Sequence, residues 1–125
     1  MKPTDVFYHR LKEPNRSYLE ATRIIILKEE KAITESLKYG TPFFQYQNRP
    51  LCYFWIEKKT TLPYIGFKHG MSLDFPWLEA GDRRRFKIMR LDPYDDIPLK
   101  ALRKTLRASI EIYHSVMLRG KRLEI

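Results

Sequence analysis

The hydrophobic pattern of the chain changes period at Gly40-Thr41-Pro42. Before that point apolar residues recur three and four apart. After it, as far as Leu91, short runs rich in aromatic and β-branched residues are separated by polar turns, and beyond Pro98 the spacing of three and four returns. Recurrence every three to four positions marks helix, short runs bounded by turn residues mark strand, and glycine and proline punctuate the two. The predicted order is therefore helix, helix, a block of strands, helix. Consecutive strands joined by short turns pair antiparallel. Helices segregated to one side of such a sheet make a two-layer α+β domain, here with an antiparallel sheet of four to five strands.

The local signals place the elements. Asp5 sits well for the dipole of a first helix over residues 4–12, with Phe7 and Leu11 on one face. Ser17 and Glu20 have the spacing of a capping box for a second helix, ending near Glu30, whose apolar side is Ala21, Ile24 and Ile25 extended by the Lys28 stem. Residues 33–39 fit a last helical turn or a strand. Strands are expected over residues 43–47, 50–57, 62–68 and 86–91. Asn48-Arg49 is the expected hairpin turn, since asparagine tolerates positive φ. Residues 69–85 form a long connection with one helical turn near Trp77-Leu78. Asp95 or Asp96 is placed to cap the last helix, Pro98 fits its first turn, and Gly120 its end. Leu99, Leu102, Leu106, Ile110, Tyr113 and Met117 form its core stripe.

The chain has 125 residues, the size of one domain, and residues 1–125 are read as one unit. A chain of this length buries roughly two-thirds of its unfolded surface, enough for one core. The longest apolar run is Leu51 to Ile56, far below the ~20 residues of a membrane span, so no membrane association is expected. Asp5 and Arg10 have no apolar stretch between them, so no secretory signal is expected either. Cys52 is the single cysteine and by itself closes no disulfide and makes no zinc site. A reducing, cytoplasmic setting follows as the expectation.

Charge gives the first functional hint. The net charge is +9, and residues 81–125 carry twelve basic against six acidic side chains. A field of this sign attracts phosphates and acidic partners, and equally serves solubility. Arg83, Arg84 and Arg85 are consecutive, and Lys100, Arg103, Lys104 and Arg107 share one face of the last helix. Together they are the candidate phosphate-binding residues, with nucleic acid as the partner class they fit.

The segment Lys38-Tyr39-Gly40-Thr41-Pro42-Phe43, with Glu35 before it, Phe54, residues 62–67, His69-Gly70 and Leu73, and the 85–96 stretch leading into a terminal helix, resembles the YdhG-like family, small bacterial proteins largely of unknown function. The resemblance spans nearly the whole chain and implies a small cytosolic α+β domain. One branch of that family resembles frataxin in shape, which implies iron handling. Such a role depends on an acidic surface, and the strong basic charge of this chain runs against it.

The strands carry the second constellation. Alternation puts Cys52, Phe54 and Ile56 on one face and Leu51, Tyr53, Trp55 and Glu57 on the other. With Ile65 and Phe67 joining the helix-facing side, the opposite face presents Tyr53, Trp55, Tyr64 and Lys68 around a gap at Gly66, with His69 at the rim. A missing side chain in a strand permits close approach of a ligand or of a neighbouring ring, and an aromatic platform beside a cation stacks planar ligands. The same face could instead be covered by the long connection or by a second copy of the chain.

Signals for catalysis are sparse. His9, His69 and His114 lie far apart, no HExxH or cysteine pair occurs, and there is no glycine-rich phosphate loop. Cys52 alternates with core residues and reads as a small buried side chain. Asp92, Asp95 and Asp96 suit a hard cation, but capping already accounts for them. The sequence thus predicts a binding module without catalytic residues, metal or cofactor. Its ligand surface is Tyr53, Trp55, Tyr64, Gly66, Lys68 and His69, taking a small ligand, a protein partner or a second copy. The alternatives are phosphate binding through the basic stripe and frataxin-like iron handling.

Overall fold

A computed structural model describes residues 2–123, with side chains through residue 115. Two helices, α1 (Pro3–Arg10) and α2 (Asn15–Glu29), precede five strands, β1 (Ile33–Lys38), β2 (Thr41–Tyr46), β3 (Arg49–Ile56), β4 (Pro63–Phe67) and β5 (Lys87–Arg90); α3 (Leu99–Leu123) follows. The strands form one antiparallel meander in sequence order. The expected α+β class is what the chain adopts. No helix among the described residues is long and apolar enough to cross a membrane.

The ambiguous 33–39 stretch is the edge strand β1, paired with β2 from Ile33↔Tyr46 to Lys38↔Thr41. Its turn is a two-residue hairpin with positive φ at Tyr39 (54°) and Gly40 (75°), the combination whose twist matches paired strands. The β2–β3 turn has the same signature one residue earlier than expected, at Gln47 (49°) and Asn48 (64°). Further along, Phe44 pairs with Cys52 but Gln45 pairs with Pro50. Leu51 is left without a partner on β2 and is buried in the core cluster with Cys52.

Phe44, Phe54, Ile65, Phe67 and Met89 from the sheet pack with Tyr8 of α1, Leu19 and Ile26 of α2, and Leu102, Leu106, Ile110 and Tyr113 of α3. Burying one such apolar side chain stabilises by about 1.5–3 kcal/mol relative to leaving it exposed. Met117 lies outside the described side chains, and Leu99 is 47% exposed. The helix runs through Gly120 rather than ending there.

α2 presents a different side from the expected one. Tyr18, Leu19, Thr22 and Ile26 are buried, while Ile24 is half exposed and Ala21 and Lys28 face out; of the expected stripe Ile25 packs, partly buried, against the core. Thr22 fits the core because its hydroxyl donates to the Tyr18 carbonyl at 2.8 Å, leaving no unsatisfied group. The capping box is also replaced. The Glu13 carboxylate accepts the Ser17 N–H at 2.8 Å and its hydroxyl at 2.5 Å, and Glu20 pairs with Arg16 instead. Asp92 and Asp95 accept the N–H groups of Tyr94 and Asp96 in the preceding turn, so neither Asp95 nor Asp96 caps α3, whose first turn starts from the Pro98 carbonyl.

The long connection holds a 3-10 helix at Gly70–Ser72, and the turn expected near Trp77-Leu78 is a single hydrogen-bonded turn, the Leu78 N–H donating to the Phe75 carbonyl at 3.1 Å, not a helix. Trp77 stacks on Phe75 and donates its indole N–H to Thr105 of α3 at 2.8 Å. That contact carries the connection over the helix layer. Only its end, from Arg83 to Phe86, returns to the open face of the sheet.

Candidate binding site on the open face of the sheet

β3 and β4 pair so that Tyr53 stands directly across from Gly66. The Tyr53 ring lies over that glycine: a Cβ at position 66 would come within 2.3 Å of the ring. Of the two expected occupants of the gap, a ligand or a neighbouring ring, it is the neighbouring strand's own ring that fills it. Tyr53 stacks on Phe43 of β2 at 5.1 Å with planes 18° apart, and Phe86 meets it edge-on at 5.6 Å. Ile88, opposite Gly66 on β5, is fully buried on this side. The face thus carries a small apolar layer of its own.

Beside this layer is a cleft of about 320 Å³, lined by Phe43, Pro50, Leu51, Cys52, Tyr53, Lys68, Arg85 and Phe86. Pockets for small molecules run from about 300 to 1,000 Å³ and combine apolar walls with few polar groups. Here the charged groups are two cations, with no carboxylate in the lining. Neither Lys68 nor Arg85 forms an ion pair among the described residues. Burial pushes the Cys52 thiol far up, so it stays protonated and unreactive. Burial also raises the Tyr53 phenol.

Of the residues predicted for this surface, Tyr53 and Lys68 line the cleft and Gly66 seats the Tyr53 ring. Tyr64 lies under the Arg83 guanidinium at 5.6 Å. Trp55 borders a separate shallow recess with Tyr39 and Thr41. His69 is not at the rim. It turns to the helix side, edge-on to Tyr113 at 4.9 Å, with a buried Nε2 that has no hydrogen-bond partner among the described residues. Burial, then the nearby Lys68, lowers its pKa. Sequence reasoning missed Phe43 and Phe86. The cross-strand pair Phe43↔Tyr53 becomes visible only with the register, and Phe86 joins through the end of a long loop.

The basic residues separate into two groups rather than one patch. Arg83 donates to the Ala80 carbonyl and covers Tyr64 and Phe86; Arg84 is exposed; Arg85 joins the cleft. Lys100, Arg103, Lys104 and Arg107 line a shallow groove of about 530 Å³ on the helix layer, with Glu29, Phe75 and Leu99. There the Glu29 carboxylate accepts from Arg103 Nε at 2.9 Å and Arg107 Nε at 2.7 Å. Among the described residues no three His, Cys, Asp or Glu side chains converge to hold a metal ion.

The chain matches no family model, no curated protein and no solved structure.

Proposed function

We propose that the protein is a small-molecule binding module whose ligand sits in the cleft between Phe43, Tyr53, Phe86 and the Lys68–Arg85 rim. The observation that carries this reading is the cleft itself: apolar walls held by stacked rings, opened on one side and bounded by two cations that make no ion pair among the described residues. The lining offers no imidazole or carboxylate for proton transfer, which favours binding over chemistry. YdhG-like membership belongs to the same proposal. The Lys38–Phe43 motif makes the β1–β2 hairpin and delivers Phe43 to the cleft. Titration with a set of small aromatic compounds, followed by NMR of the aromatic side chains, tests the site. Shifts centred on Phe43, Tyr53 and Phe86 are expected, and ligands that map elsewhere overturn it.

A second reading, contact with nucleic-acid phosphates, is favoured by the α3 groove, where the Arg103 and Arg107 side chains are 57% and 60% exposed. Each phosphate neutralised steepens the fall of affinity with salt. Glu29 already engages both guanidiniums, which leaves Lys100 and Lys104 as the groove cations without an ion pair among the described residues. Anisotropy titrations of short DNA and RNA at several salt concentrations test it.

A further inference from the structure

Resting on the cleft as the binding site, we infer that its occupant is a free planar aromatic carboxylate. Lys68 and Arg85 lie at the rim of an otherwise apolar space. A neutral ligand would leave both cations without a counter-charge, whereas a carboxylate on the exposed edge of the ligand meets both. The flat guanidinium fork of Arg85 matches the two oxygens of a carboxylate, and the Lys68 ammonium adds a point charge.

The shape of the walls selects the body of the ligand. Phe43 and Tyr53 present nearly parallel rings, and Phe86 stands at 78° to Tyr53. A planar ring continues that edge-and-face arrangement, which aromatic groups prefer. About 320 Å³ is the small end for a ligand pocket, sized for one or two fused rings. A nucleobase fits the chemistry poorly. The lining contains no Asn, Gln, Ser, Thr, Asp or Glu side chain to read its hydrogen-bonding edge.

The test compares 2-naphthoate, 2-naphthylmethanol and decanoate by NMR titration against the full chain and the double variant Lys68→Ala/Arg85→Ala. Both substituted side chains are exposed, so the variant should fold, which its amide spectrum verifies. Naphthoate should shift Tyr53 and Phe86 signals and bind at least about tenfold more tightly than either other probe, the factor that 1.4 kcal/mol of charge-assisted bonding gives. In the double variant naphthoate should fall to the level of naphthylmethanol. Equal binding of naphthoate and naphthylmethanol to the unmodified chain overturns the carboxylate, and decanoate matching naphthoate overturns the planar ring; in both cases the cleft still stands as a site. No shift at Tyr53 or Phe86 with any probe overturns the site reading itself.

Discussion

Tyr53 lies across Gly66, its ring filling the volume that a side chain on β4 would need. Gly66→Ala should therefore destabilise the fold by about 1–3 kcal/mol, the usual cost of forcing extra volume into a packed site. Tyr53→Ala removes the ring and makes room for the new methyl. The double variant should lose less than the sum of the singles, as residues in contact do. Urea unfolding of the four proteins checks this, and additive losses would show that the ring does not depend on the glycine.

Glu35 of β1, whose side chain is only 6% exposed, accepts from Tyr8 Oη and Arg23 Nε, both at 2.7 Å. Arg23 also reaches Asp5 and lies over the Tyr8 ring, so one carboxylate joins α1, α2 and the sheet edge. Glu35→Ala takes away the shared acceptor of Tyr8 Oη and Arg23 Nε, leaving Arg23 only its Asp5 partner, and should cost about 1.5–3 kcal/mol. Tyr8→Phe removes one hydrogen bond to a charged acceptor and should cost about 1.5 kcal/mol. Chemical denaturation decides; a loss under about 0.5 kcal/mol for Glu35→Ala, the range of ordinary surface changes, would contradict the account.

His69 links stability to pH. Its folded pKa lies below the ordinary 6.5, through burial first and then Lys68. Below pH 6.5 the unfolded chain takes up a proton that the folded chain resists, so the unfolded state binds more protons and stability falls as pH falls. The neutral ring against Tyr113 is retained above 6.5 and its contribution is lost as pH drops through the lowered value. His69→Gln should flatten this limb in urea midpoints measured from about pH 8 to 5, the range in which histidine titrates, and an unchanged slope would rule the histidine out as its source.

Glu29 holds Arg103 and Arg107 together in the α3 groove. Glu29→Gln should release both guanidiniums and raise affinity for a short DNA duplex at low salt. The dependence of log affinity on log salt should steepen by about 0.9 for each additional phosphate that the helix neutralises. Fluorescence anisotropy reads both quantities. No binding by either protein would remove the phosphate reading of this helix.

The succession of elements was legible in the sequence because it rests on local chemistry. The change of period at Gly40-Thr41-Pro42 reports whether side chains repeat around a helix or across a strand, and the leucine stripe of α3 reports the face it buries. Contacts between distant residues were not legible. Residues 33–39 became strand through pairing with β2, and α2 turned Thr22 inward because a backbone carbonyl satisfied its hydroxyl. At the site, alternation identified Tyr53 and Lys68, whereas the register set Tyr53 over Gly66 and beside Phe43. The return of a long loop brought Phe86 and Arg85 to the same cleft. Likewise, the spacing of Arg103 and Arg107 placed them on one helical face, but their shared carboxylate comes from α2, more than seventy residues earlier. Periodicity is written in neighbours along the chain, while partners across strands and between helices exist only once the layers have packed.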